Sequence, residues 1–277
     1  MDLVCDTNIW YGIADGRIDP KSIKKDGHRL LASHLNILEL LSSMYVSNYS
    51  ARRKAAVAII KHADDYLESS EFHLSKLWGI EPLGPDVGYI DAIDILANSS
   101  TLQAVWRGGK NATGKRFNLD MNSAIKWRED HYSKFKSSIL SICDIIVPKF
   151  SEIRMKGKSF QISKDIANQF RKFSSDPKIR ERLLMASFER VATGNRNLTI
   201  PGDQQIRSAS VSLDAYLRAY LEYLVYSVES KPPDENDLGD LEFLLYVQNS
   251  RVFFTKEKRW LTIGEAVGLG GKITANP

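Results

Sequence analysis

The run Asp-Leu-Val-Cys-Asp-Thr-Asn-Ile-Trp, beginning at Asp2, constrains the fold more than any other stretch. Leu3 to Cys5 reads as a short buried strand. It ends on Asp6, and a buried strand normally keeps carboxylates out of its run because an unpaired buried charge is costly. The spacing therefore predicts that other groups converge on Asp6 at the carboxyl end of this strand.

Further along, "SHLNILELLSSMYV" places Leu35, Leu38, Leu41 and Tyr45 at helical spacing, with Ser33 as its N-cap. "ARRKAAVAIIKHADDYLES" reads as another helix, and from about Phe72 to Gly114 the pattern loosens into Gly- and Pro-bearing turns. The middle is mostly helical. "NSAIKWREDHYSKFKSSILSICDIIVPKF" is a long amphipathic run that Pro148 should stop, and Ser163 and Asp176 are N-caps for the two segments that follow. In "SLDAYLRAYLEYLVYSV" the stripe of Leu213, Tyr216, Leu217, Tyr220, Leu221 and Leu224 reads as core. "SKPPDEND" breaks the chain, "LGDLEFLLYV" resumes a helix, and "RVFFT" reads as a buried strand. Strand–helix alternation at both ends argues for an α/β fold built on a parallel sheet, with the helical middle as an insertion or lid.

That architecture makes the acids informative, because open α/β sheets form their sites at the carboxyl ends of strands. Asp6 ends one predicted strand and Thr255 ends another, with Glu257 two residues on. Glu39 stands in the most apolar part of its helix, between Leu38 and Leu40, and Asp237 and Asp240 share a face at the start of the last apolar helix. Each has an ordinary reading alone: a helix cap, an ion pair, a surface charge. Gathered in one crevice they would repel and take up protons unless cations neutralised them. An all-oxygen donor set of this kind suits Mg²⁺ or Mn²⁺.

Charge is unevenly spread. Between Arg107 and Arg196 there are 20 Lys and Arg against 9 Asp and Glu, while the rest of the chain carries 18 against 25. A basic middle between acidic ends fits a polyanion partner, and equally a set of solvated Lys-rich helical faces. The chain's 43% hydrophobic and 26% charged residues suit a soluble protein with a core, and no stretch has the length and apolarity of a membrane span. The N-terminus does not read as a secretory signal. Two cysteines, Cys5 and Cys143, argue against a disulfide framework and fit a reducing, cytoplasmic setting.

"CDTNIWY", "NILELL", "NDLGDLEFLLYV" and "VFFTKEKRW", taken in order, resemble the PIN domain, a family of metal-dependent nucleases, many acting on RNA, that includes toxins of bacterial toxin–antitoxin pairs. The resemblance covers roughly residues 1–80 and 232–273. It implies a PIN-like parallel sheet flanked by helices, formed by 1–80 and 232–277, with 81–231 as a large, basic, mainly helical insertion. It also implies that Asp6, Glu39 and Asp240 are the acidic metal-site residues, with Asp237 able to share or take the third role. Glu257 stands where the family usually has Asp, which leaves one or two metals open, and Asn8 and Thr255 are its hydrogen-bonding supports.

The activity so implied is Mg²⁺- or Mn²⁺-dependent hydrolysis of RNA phosphodiesters by an endoribonuclease, with the metal activating water and stabilising phosphate charge. Alternatives are a catalytically weak PIN-like module binding nucleic acid or protein, and a structure-specific DNA nuclease. An antitoxin or other regulatory protein, and a homodimer, are partners the resemblance allows. Arg107, Lys110, Lys115, Arg116, Lys156 and Lys158, in "RGGKNATGKR" and "RMKGKSF", are the candidates for phosphate contacts. Trp106, Phe117 and Trp127 could stack on bases, although core packing is the preferred reading for large aromatics.

Other chemistries lack their signatures. Gly109 to Arg116 fits G-x-x-x-x-G-K, but Arg116 replaces the required Ser or Thr and the strand–loop–helix context is missing. His28, His34, His62, His73 and His131 form no zinc spacing, and no G-x-S-x-G occurs.

Overall fold

A computed structural model of the chain describes residues 1–42, 48–82, 89–101, 130, 132–137, 139–141, 168, 171–173, 175–192, 200–229 and 237–277. The chain opens with β1 (Asp2–Cys5), α1 (Thr7–Ala14), α2 (Pro20–Lys25), β2 (Arg29–Ser33), α3 (His34–Ser42), α4 (Tyr49–His62) and β3 (Asp65–Leu67). Helices α5 (Ser70–Trp78), α6 (Tyr89–Asn98), α7 (Pro177–Ala192), α8 (Asp203–Ser212) and α9 (Asp214–Glu229) follow. Last come α10 (Asp237–Phe243) with a 3₁₀ turn (Leu244–Tyr246), β4 (Arg251–Phe254), α11 (Lys258–Ala266) and β5 (Ile273–Thr274).

The five strands make one all-parallel sheet in the order β3-β2-β1-β4-β5. Parallel strands need crossovers, which cover both faces with helices and make the strands apolar on both sides. Alternation along each strand sorts the core accordingly. Leu3, Cys5, Leu30, Ala32, Val252 and Phe254 pack one way, against Ile9 and Trp10 of α1, Ala55 and Ile59 of α4 and Ile93 of α6. Val4, Leu31 and Phe253 pack the other way, against Leu224 of α9, Leu241 of α10 and Trp260 of α11. A third cluster joins Leu74 and Trp78 of α5 to Leu184 of α7 and Leu217 of α9.

The chain builds outward from β1 to β2 to β3, then crosses back to β4 on the other side of β1. The connection direction therefore reverses between β1 and β4, where open sheets leave a crevice beyond their carboxyl ends. Asp6 and Thr255 are the residues that follow these two strands.

The α/β expectation holds, and several local readings need correction. Ser33 does stand directly before α3, but it is also the last residue of β2, a strand that the sequence reading passes over on the way to the helix. Its N–H donates to Asn36 Oδ1 at 2.8 Å, while Asn36 Nδ2 donates to Cys5 O at 3.0 Å and Thr7 Oγ1 at 3.1 Å. The helix expected to run on to Ser69 stops at His62. Asp64 then stitches the chain to β2, its N–H on Leu30 O and its carboxylate on Leu30 N–H, both at 2.8 Å, which sets up β3. Within the stretch read as loose, α5 forms between a Ser69 cap, whose Oγ accepts the Phe72 N–H at 3.2 Å, and Gly79, whose φ of 64° ends the helix.

Asp176 does cap α7, accepting the Lys178 N–H at 2.9 Å with Pro177 in the first turn. The Leu/Tyr stripe of α9 is core, with Leu213, Leu217 and Leu224 buried. Ser163, Pro148, Cys143 and the Gly109–Arg116 stretch lie outside the described residues. Among the described residues, no helix is long and apolar enough to cross a membrane.

Candidate functional site

Asp6 is the N-cap of α1, with extended backbone and its Oδ1 accepting the Asn8 N–H at 3.3 Å. Its other oxygen accepts the Thr255 hydroxyl at 2.7 Å. Thr255 is wholly buried and is held in turn: its Oγ1 accepts the Glu257 N–H at 3.1 Å, fixing the turn out of β4. Asn8 is exposed and reaches across the switch point, its Nδ2 donating to Glu257 Oε1 at 3.0 Å. The ends of β1 and β4 are thus laced together by the residues predicted to support the site.

Asp237 and Asp240 come from α10 and are both buried. Glu39, half-buried on α3, reaches the same helix: its Oε1 lies 3.3 Å from where a Cβ on Gly239 would stand. The Tyr132 hydroxyl lies 2.6 Å from that point, so only glycine lets α3 and Tyr132 approach α10 so closely.

The electrostatics record the convergence. Burial pushes the Asp6 carboxyl up to about 6; the Thr255 hydrogen bond works against this and the charge of Glu257 adds to it. Burial also carries the Asp240 carboxyl well above its ordinary value, and the charges of Asp6, Glu257 and Glu39 carry it further. Four carboxylates from four separate stretches of chain therefore feel one another at the carboxyl edge of the sheet.

One residue of the crevice escaped the sequence reading. Arg259 Nη1 pairs with Asp237 Oδ1, and its Nη2 stands 2.7 Å from Asp240 Oδ2 and 3.3 Å from Glu257 Oε2. The guanidinium lies over the Trp260 ring, 4.9 Å from its centroid. Burial works to lower its pKa, but Asp237, Asp240 and Glu257 together hold it above its ordinary value. Glu257 is the N-cap of α11, which puts Arg259 in that helix's first turn, where the backbone dipole disfavours a cation. A basic residue in that position was the available signal that carboxylates face it.

The two aspartates of α10 are distinguished by their partners. Both Asp237 oxygens are engaged, Oδ1 by Arg259 and Oδ2 by the Tyr223 hydroxyl at 2.6 Å. Asp240 is the one whose carboxyl is pushed up by Asp6, Glu257 and Glu39.

The chain matches no protein-family model, no curated protein and no solved structure. What the site can do rests on its own chemistry. Its donors are all oxygen, and their mutual repulsion is what a hard divalent cation relieves, so the residue types fit Mg²⁺ or Mn²⁺. Among the described residues, no three His, Cys, Asp or Glu side chains stand as a ready-made ligand group. Arg259 occupies carboxylate oxygens that such a group would use. The residues predicted to hold nucleic acid (Arg107, Lys110, Lys115, Arg116, Lys156 and Lys158) and the aromatics Trp106, Phe117 and Trp127 lie outside the described residues.

Proposed function

We propose that this protein is a PIN-like, metal-dependent ribonuclease whose site is the carboxylate crevice between β1 and β4. The observation that carries the reading is the gathering of Asp6, Glu39, Asp240 and Glu257 at the switch point of a parallel sheet, where the other three each raise the cost of charging Asp240. Asp6, Asp240 and Glu257 would hold Mg²⁺ or Mn²⁺, with Glu39 beside them. The bound cation would supply Lewis-acid stabilisation of phosphate charge and a more acidic water. The protein's own part is to fix the carboxylates. Thr255 and the Asn8 N–H hold Asp6 in one orientation, and the Asn8 side chain holds Glu257. Asp240 takes the third ligand role in this reading, since Asp237 is committed to Tyr223 and Arg259.

The test is cleavage of a labelled mixed-sequence single-stranded RNA with Mn²⁺, with Mg²⁺ and with EDTA, beside an Asp6→Asn/Asp240→Asn double variant and a matching DNA strand. The expected result is metal-dependent cutting of RNA that the variant loses. Preferential cutting of DNA would redirect the reading to a DNA nuclease. Arg259 favours a second reading, since a crevice already neutralised in part suits a catalytically weak binding module. Salt-sensitive RNA binding without cutting by either protein would support that module.

A further inference from the structure

Arg259 is more than a bystander to the acids it touches. A surface salt bridge is made with one carboxylate in high dielectric and contributes little. This guanidinium contacts three carboxylates at once, from α10 and from the turn after β4, and two of those carboxylates are buried. Its side chain is only 12% exposed, and its Nε is buried without a hydrogen-bond partner. Arg259 is held here by the negative charge around it, and its guanidinium carbon lies 4.9 Å from the centroid of the Trp260 ring. The oxygens it covers on Asp240 and Glu257 are among those the proposed metal would need.

We infer that Arg259 is the resident counter-ion of the crevice and the gate on metal uptake: a divalent cation bound by Asp240 and Glu257 displaces its guanidinium from both. The inference rests on the metal-site reading above, and it adds a competition that reading does not contain. A cation and a guanidinium cannot both occupy the same carboxylate oxygens, so the apparent metal affinity is lowered by the stability of the arginine contacts. Once displaced from Asp240 and Glu257, the guanidinium keeps its Nη1 contact with Asp237 and its place over the Trp260 ring, and the freed Nη2 can donate to a phosphate oxygen.

The experiment is Mn²⁺ titration of the full metal-free chain by calorimetry, for the wild type, Arg259→Met, Arg259→Lys and Asp240→Asn. Methionine keeps an apolar side chain of comparable reach and removes the charge. The expected result is Mn²⁺ binding about tenfold tighter in Arg259→Met, with Arg259→Lys between it and the wild type. Mn²⁺ should also raise the melting temperature more in Arg259→Met than in the wild type. Equal or weaker binding by a folded Arg259→Met would overturn the gate and recast Arg259 as a residue that positions the carboxylates. Should Arg259→Met fail to fold, the comparison of Arg259→Lys with the wild type decides, since lysine must still bind Mn²⁺ more tightly if the fork is the competitor. Loss of binding in Asp240→Asn alone keeps the metal site whatever becomes of the gate. No Mn²⁺ binding by any of the four proteins would overturn gate and metal site together.

Discussion

Asp6→Asn should make the metal-free protein more stable, by an amount that depends on pH in a defined way. The Asp6 carboxyl titrates near 6 in the folded chain against an ordinary value of 3.8, so the fold favours its protonated form. Stability from this group is fully present below about pH 4 and is lost as pH rises through about 6. The difference corresponds to about 3 kcal/mol lost by pH 8. Asparagine carries no charge to desolvate and escapes that loss. It must still serve the Asn8 N–H and the Thr255 hydroxyl, which the aspartate meets with two separate oxygens. With one carbonyl oxygen in place of two, it gives back about 1 kcal/mol.

The net expectation is a gain of about 2 kcal/mol at pH 8, near 1 M in urea midpoint, and no gain at pH 4. The assay is urea unfolding in EDTA at both pH values, with wild type and variant compared at each. If the crevice takes the proposed metal, added Mn²⁺ should reverse the order at pH 8, because the cation neutralises the wild-type carboxylate and finds no charge on the asparagine. A variant less stable than wild type at pH 8 in EDTA, or a gain equal at both pH values, would refute the reasoning that burial and like charge strain this carboxylate.

Thr255→Val keeps the shape of the side chain and strands both the Asp6 carboxylate and the Glu257 N–H. A loss of about 1–3 kcal/mol in urea unfolding is expected, with Thr255→Ser near wild type. Gly239→Ala drives a methyl to 2.6 Å from the buried Tyr132 hydroxyl and 3.3 Å from Glu39, so the unfolding midpoint should fall and the proposed RNA cleavage should fall at least tenfold. Cleavage at the wild-type rate would remove Glu39 from the machinery. Arg190 bridges buried Glu242 at 2.6 Å and Glu71 at 2.5 Å. Arg190→Met should cost about 3–5 kcal/mol, and adding Glu242→Met should restore part of that, which a double-variant cycle measures.

Much of the site was legible because it lies at strand ends. Asp6 and Glu257 flank β1 and β4, and these strands could be read from apolar runs that stop abruptly at polar residues. Thr255 is read from the end of the β4 run, whereas Asn8 and the supporting role of both rest on the PIN resemblance. The strands β3 and β5 were not legible: three and two residues carry no period, and their pairing is imposed by neighbours through contacts such as those of Asp64. β2 was hidden because its apolar run flows into α3 without a break, the link being Asn36, a residue whose role is tertiary. Arg259 was hidden in "KEKRW", a string that resembles any solvated surface turn until Glu257 is seen to cap α11.

The lacing of β1 to β4 ties the crevice to the order in which the chain is made. Asp6 is oriented by Thr255 and Asn8 holds Glu257, each across 249 residues of sequence. Contacts of such separation form late, because the loop between their ends must close first. A nascent chain carrying β1, α3 and even α10 thus has carboxylates without their common frame, and the crevice comes into being only when β4 docks beside β1. A truncation ahead of β4 should therefore leave the Asp6 carboxylate without its Thr255 hydrogen bond and without the Glu257 charge beside it.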